Sequence, residues 1–330
     1  EQEQPQAKTF AMGEQFLHEN HDQDNWFLTI ETFDPHEPFF APEKYRQLYP
    51  HEYDESMGDW PVYGPVHEEK NTVRHMRMEY AALVSMCDAY LGKVLDLMDR
   101  YDLWKDTMLI VNTDHGFLLS EHGYWAKCCM PWYNELANIP LFIHDPRCPE
   151  ASGQRRSALV QTIDLPATLL EYFDVPVPND MQGRPLRDTL REDTPVREAA
   201  LYGIHGGHVN ITDGRYVYMR APAGDNAPLY QYTLMPTHMR GLFSLEDLRT
   251  AELAEPFSFT KGLRTLKIRP AARPPMHEFQ TMLFDTQSDP NTEHRLDDPK
   301  AEARMIDLLI EHMKLSDAPL EQYERLGLKP

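Results

Sequence analysis

Between Met108 and Lys127 the sequence sets carboxylate, imidazole and ammonium groups directly behind a short apolar run. Met108, Leu109, Ile110 and Val111 suit a strand buried on both faces. Asn112-Thr113-Asp114-His115-Gly116 then breaks the run. In open α/β sheets ligands gather outside the carboxyl ends of strands, so polar groups placed there invite a chemical reading. Asp114 offers carboxylate oxygens and His115 an imidazole nitrogen, both metal-ligand types, and Gly116 lets the chain turn away from them. Glu121, His122 and Gly123 follow, and then Lys127, whose ammonium could neutralise an anionic substrate. Taken singly, an Asp-His pair after a strand also serves as a cap or turn, and His122 and Lys127 as solvated surface groups.

A second strand with a histidine behind it is expected at Trp26-Phe27-Leu28-Thr29-Ile30, which runs into Glu31-Thr32-Phe33-Asp34-Pro35-His36-Glu37-Pro38-Phe39. Imidazole suits proton transfer near neutral pH, although a histidine between two prolines is commonly just a hydrogen-bonded loop residue. Residues 40–66, rich in Pro, Tyr and acidic groups, read as a long surface excursion of the kind that lines a substrate mouth. From Glu68 to Tyr101 the period changes: Met76, Tyr80, Leu83, Val84, Cys87, Tyr90, Leu91, Val94, Leu95 and Met98 recur at three and four. That marks one long amphipathic helix whose stripe is core, and it hands the chain to the strand at 108–113 as a parallel-sheet crossover.

These elements sit in 330 residues, enough for two domains or one large α/β domain with an appendage. Hydrophobic residues make up 41% of the chain, which supplies a substantial core, and no apolar run reaches membrane-spanning length. A net charge of −21 argues against nucleic acid and anionic membrane surfaces as partners. An anionic small substrate then requires local cations and a metal to reverse the field within the site. Four cysteines form no disulfide framework; reduced thiols slightly favour the cytoplasm, while the absence of an initiator Met leaves the compartment open.

Asn-Thr-Asp-His-Gly at 112–116, Glu-His-Gly-Tyr-Trp-Ala-Lys at 121–127 and Ile-Pro-Leu-Phe-Ile at 139–143 occur in an order that resembles the second half of the sulfatase family. That family belongs to the alkaline-phosphatase superfamily, and the Glu-His-Gly-x-Trp-Ala-Lys portion looks most like its iduronate-sulfatase branch. Phe117 departs from the pattern, since many relatives carry Glu there. The resemblance implies an α/β fold, a mixed sheet with flanking helices plus a smaller C-terminal antiparallel sheet with one helix. It also extends to the His-x-Pro-Phe segment at 36–39, and implies that His36 contacts the sulfate ester or protonates the leaving oxygen. Asp114 and His115 would bind the metal; Lys127, with His36 and then His122, would address the sulfate oxygens. Calcium is the favoured ion, with Mn²⁺ or Mg²⁺ as alternatives that the imidazole of His115 tolerates.

Beyond the central stretch, Leu141-Phe142-Ile143-His144 reads as a further buried strand and Asp164 as the cap of a helix through Phe173. A turn-rich connector with Gln182-Gly183-Arg184 resembles the stretch that precedes the family's smaller domain, which places a boundary near 195. The expected division is thus 1–195 for the remainder of the catalytic domain and 196–330 for a smaller α+β domain. In the latter, Asp213-Gly214 is a two-residue hairpin signal, Met282-Leu283-Phe284-Asp285 a strand, and Asp298-Pro299 a helix start. Residues 221–275 read as an extended, Pro-rich insertion.

Sulfate-ester hydrolysis needs a nucleophile, a cation for the non-bridging oxygens and an acid for the leaving group. In sulfatases the nucleophile is a formylglycine made within Cys/Ser-x-Pro/Ala-x-Arg, and an Asp-Asp pair near the N-terminus adds two metal ligands. Neither is present: Cys129-Met130-Pro131-Trp132-Tyr133 lacks the Arg and lies after the Lys, and Asp-Asp occurs only at 297–298, as a helix cap. The expectation is a C-terminal portion of a sulfatase whose nucleophile lies in an absent upstream segment, inactive by itself, acting on a small anionic sulfate ester. Alternatives are a phosphonate or phosphodiester hydrolase on the same scaffold, and a non-catalytic sulfatase-like binding module.

Overall fold

The computed structural model describes residues 4–52, 58–235, 237–238, 241–270 and 279–330. Backbone contacts divide the chain into two compact units. The first comprises Glu1–Thr113, Phe117–Ala126 and Pro140–Ser152; the second Asp114–Gly116, Lys127–Ile139 and Gly153–Pro330.

In the first unit α1 (Pro5–Asn20) opens with Pro at its first turn, where a missing N–H costs nothing. With the short α2 (Glu43–Arg46), which precedes β1 (Gly64–Pro65), it packs on α3 (Lys70–Arg100). The periodicity read from the sequence appears on α3 as a buried face of Met76, Ala82, Leu83, Met86, Tyr90, Val94, Leu97 and Met98. Val84 belongs to the expected stripe yet is 43% exposed, because at 100° per residue it turns away from Leu83. The buried face admits two polar groups instead, His75 and Glu79. Residues 40–66 are not purely a surface excursion: Ala41 and Tyr45 join Phe39 in the core beneath α3; residues 53–57 of this stretch lie outside the described ones.

Beyond α3, β2 (Leu109–Asn112) precedes β3 (Leu118–Leu119), β4 (Tyr124–Ala126) and β5 (Leu141–His144). β1, β4 and β3 form a small antiparallel sheet, and β2 pairs antiparallel with β5, Ile110 facing Ile143. The expected parallel crossover is therefore not formed among the described residues, nor is β2 buried on both faces. Leu109, Ile110 and Val111 are half-buried, and Phe142 on β5 is 67% exposed. Trp26–Ile30 likewise joins no ladder among the described residues. Its burial still alternates as a strand's does, with Trp26, Leu28 and Ile30 packed against Leu17, Val94, Leu97, Met98 and Leu103.

The second unit begins with α4 (Asn134–Ala137), α5 (Asp164–Tyr172) and α6 (Arg187–Glu192). Asp164 is the first residue of α5 and not its cap, which is Ile163. Its buried carboxylate accepts from Gln161 N at 2.8 Å and Arg184 N at 2.9 Å and pairs with the Arg197 guanidinium. One ion thus ties three segments together. Gly183 lies so close to this helix start that a Cβ would meet the Ile163 carbonyl oxygen at 1.8 Å.

β6 (Ala200–Gly203), β7 (Val209–Thr212) and β8 (Tyr216–Arg220) follow as a meander. The turn at Asp213-Gly214 is longer than two residues, for Thr212 pairs with Val217; Asp213 Oδ1 accepts from Arg215 N and Tyr216 N to close it. The stretch expected to be an extended insertion contains β9 (Gln231–Thr233), the pair β10 (Thr237–His238) and β11 (Gly241–Leu242), α7 (Leu245–Thr250), β12 (Glu252–Leu253) and β13 (Leu266–Ile268). β12, β13 and β9 form their own sheet. β14 (Met282–Asp285) completes a four-stranded antiparallel sheet in the order β14-β8-β7-β6.

α8 (Pro299–Leu315) covers that sheet, started by the Asp298 carboxylate on Lys300 N and Ala301 N. Ile211, Tyr218 and Leu283 meet Met305, Leu309 and Met313 there, with Tyr323 and Leu326 from α9 (Leu320–Arg325) closing the layer. Each such side chain contributes about 1.5–3 kcal/mol on burial. Among the described residues no helix is long and apolar enough to cross a membrane.

Candidate active site

Asp114 and His115 leave the end of β2 as adjacent side chains, and the structure brings them together. His115 N donates to Asp114 Oδ1 at 2.9 Å, and His115 Nε2 stands 3.5 Å from Asp114 Oδ2. The other ring nitrogen, Nδ1, is 2.8 Å from the Gly116 carbonyl. A carbonyl only accepts, so Nδ1 carries the proton and Nε2 of the neutral ring presents a lone pair. An imidazole nitrogen and a carboxylate oxygen form a donor set that divalent metals accept, and a backbone carbonyl holding the ring's far nitrogen is how metal-binding histidines are oriented. The pair fits part of a metal site; among the described residues no third His, Cys, Asp or Glu clusters with it.

What fixes this corner is a close backbone approach. Gly116 N donates to the Leu136 carbonyl at 3.0 Å, and a Cβ on Gly116 would sit 1.7 Å from the Glu135 carbonyl oxygen. Glycine is required here by that contact and not by the sharp turn expected, since its φ is not in the left-handed region. Trp132 stands edge-on to the His115 ring at 6.5 Å between centroids.

Lys127 lies in the same unit as Asp114 and His115. It is only 9% exposed, against the solvated reading, and among the described residues no carboxylate lies within ion-pair distance of it. Buried charges are ordinarily paired.

The backbone around it is strained: Ser120, His122, Ala126 and Cys128 all adopt positive φ, between 55° and 85°. Each costs on the order of 1–3 kcal/mol, and such residues concentrate at functional sites. Nothing in the sequence signalled them. His122 belongs to a 3₁₀ turn, Glu121–Gly123, in the first unit. Its neighbour Glu121 is engaged structurally, by Arg77 Nη2 at 3.3 Å and the Leu119 amide.

His36 is also in the first unit. Its Nδ1 donates to the Glu37 carbonyl at 2.7 Å, and the side chain is 32% exposed. The carboxylate of Glu37 lies 3.5 Å from the same Nδ1, is almost wholly buried, and accepts from Tyr63 OH. Burial pushes the nearby Asp34 carboxyl up, with the charge of His36 partly offsetting it. Cys129, which begins the incomplete nucleophile-like stretch, has its thiol pushed up by burial and by Cys128, opposite to what a nucleophilic thiolate needs. A cleft of about 250 Å³ in the second unit is lined by Ile163, Pro166, Asp180, Met181, Gln182, Gly183 and Phe259, and contains none of these residues.

The sulfatase family model matches residues 2–175, more than half the chain, and the chain belongs to the sulfatase family. It is 34% identical over 133 residues to the N-acetylglucosamine-6-O-sulfatase of Bacteroides thetaiotaomicron, a match covering 39% of this chain and 23% of that protein. Its fold is similar to the phosphonate monoester hydrolase of Agrobacterium radiobacter, with TM-score 0.62, 17% identity, 99% of this chain and 62% of that one. It is also similar to a protein solved with its substrate D-glucosamine-2-N,6-O-disulfate, with TM-score 0.53, 19% identity, 77% of this chain and 44% of that one. The chain thus spans less than two thirds of each of these relatives.

Proposed function

We propose that this chain supplies the metal-binding and sulfate-binding part of a sulfatase that hydrolyses sulfate esters of sugars or aryl alcohols. The observation that carries the reading is Lys127, a buried ammonium without a carboxylate partner among the described residues, in the same unit as the Asp114–His115 pair. Asp114 and His115 would hold a divalent cation, which would supply positive charge for the non-bridging oxygens of the ester. Lys127 donates hydrogen bonds to those oxygens as charge develops on them. His36, its Nδ1 committed to the Glu37 carbonyl, protonates the leaving oxygen through Nε2. The formylglycine nucleophile and the remaining metal carboxylates lie in sequence outside these 330 residues, since neither motif occurs within them.

Likeness to a sulfatase of N-acetylglucosamine makes a 6-O-sulfated amino sugar the first substrate to try. The nitrogen donor of His115 and the fold's likeness to a phosphonate monoester hydrolase support a second reading, hydrolysis of phosphonate monoesters or phosphodiesters at the same site. Side-by-side rates of the full-length polypeptide on 6-O-sulfo-N-acetylglucosamine, an aryl sulfate and an aryl phosphonate separate them. Sulfate esters turning over faster supports the first reading; a preference for the phosphonate replaces it with the second.

A further inference from the structure

His75 and Glu79 stand four residues apart on the buried face of α3, at positions an ordinary amphipathic helix would give to apolar side chains. They are 1% and 4% exposed. A third group reaches them from the segment after α2: His51 Nε2 lies 2.7 Å from His75 Nδ1, which is 4.0 Å from Glu79 Oε1. One ligand atom from each of the three falls within 4.8 Å of the other two.

The protons in this cluster can be placed. His51 Nδ1 is 2.8 Å from the Tyr49 carbonyl, which only accepts, so Nδ1 carries the hydrogen and Nε2 points its lone pair inward. Arg46 Nε lies 3.1 Å from both carboxylate oxygens of Glu79, which orients that carboxylate. Two imidazoles and a carboxylate, with His51 aimed by a backbone carbonyl and Glu79 by a guanidinium, form a set that zinc takes elsewhere.

We propose that His51, His75 and Glu79 form a divalent-metal site for Zn²⁺ that pins the segment after α2 onto α3. It is separate in sequence from the Asp114–His115 pair and independent of the hydrolytic reading. Without metal, the His75 Nδ1–H···Nε2 His51 hydrogen bond closes the cluster. With metal, that proton moves to His75 Nε2 and both lone pairs turn to the ion. The rings part to roughly 3.3 Å, the separation a tetrahedral ion with bonds of about 2.0–2.1 Å imposes.

The test uses the whole chain, stripped with chelator, equilibrated with micromolar zinc sulfate and assayed for bound zinc, beside His51→Gln and Asp114→Asn. The expected result is one tightly held zinc in the parent chain and in Asp114→Asn, and its loss in His51→Gln. Thermal melts supply a second reading that survives any loss of basal stability: zinc raises the melting temperature of the parent chain and not that of His51→Gln. Equal zinc content and equal zinc-induced shifts in the parent and His51→Gln would overturn the site. So would zinc retained by His51→Gln but lost by Asp114→Asn.

Discussion

Gly116 and Glu135 touch through their backbones: a Cβ on the glycine would lie 1.7 Å from the glutamate's carbonyl oxygen. This contact seats the residue that follows His115, and Gly116 N seals it with a hydrogen bond to the Leu136 carbonyl. Gly116→Ala forces one backbone aside. A loss of about 1–3 kcal/mol is expected in urea denaturation, the cost of overpacking where nothing flexible can yield. A change within about 0.5 kcal/mol, the range of ordinary surface substitutions, would remove this contact from the account.

Lys127→Met separates function from stability. Its ammonium is buried without a carboxylate partner among the described residues, so a neutral side chain of similar length relieves the fold of an unpaired charge. The variant is expected to melt at the same temperature or higher, while in the full-length polypeptide kcat/KM on a sulfate ester falls roughly 10²–10³-fold, as when one transition-state donor is removed. Lost stability with retained turnover would make Lys127 a structural residue.

Asp164 should behave in the opposite way. Its buried carboxylate holds Gln161 N, Arg184 N and Arg197 together. Arg197→Met leaves a buried charge partly uncompensated and is expected to destabilise the chain by about 3–5 kcal/mol in equilibrium unfolding. A neutral result would mean the two amides satisfy the ion by themselves.

Acid should destabilise the chain partly through His208. Burial pulls this histidine, only 2% exposed, from 6.5 down to about 4, with the Gln280 carbonyl opposing and Arg325 assisting. Between pH 6.5 and about 4 the unfolded chain therefore binds the proton more readily than the folded one, and stability is lost as pH falls through that window. Across it the effect is on the order of 3 kcal/mol. His208→Leu should flatten this part of the stability–pH curve whatever it does to the baseline; an unchanged slope would show the group titrates normally.

How much of this was legible in the sequence depended on how local the cause was. The Asp298 cap and the strand pair flanking Asp213-Gly214 were readable because the deciding contacts lie within a few residues. So was α3, whose period repeats over 31 residues. The partner of β2 was not, because four apolar residues do not say whether the neighbouring strand runs parallel or antiparallel. Asp114, His115 and Lys127 could be named from their types and order, yet the burial of Lys127 and the contact at Gly116 arise from residues far along the chain. His75 and Glu79 were hidden in plain view: they sit on the core face, where periodicity counts apolar neighbours and passes over polar exceptions.

The most direct test of the central claim is sulfate-ester turnover by the full-length polypeptide, before and after chelation, alongside Asp114→Asn and His115→Ala. The account predicts that chelation abolishes turnover, that added calcium or manganese restores it to the parent protein, and that neither variant recovers. It also predicts no turnover by the 330-residue chain alone. Turnover indifferent to chelation, or undiminished in Asp114→Asn and His115→Ala, would contradict the assignment of this pair as metal ligands and with it the proposed site.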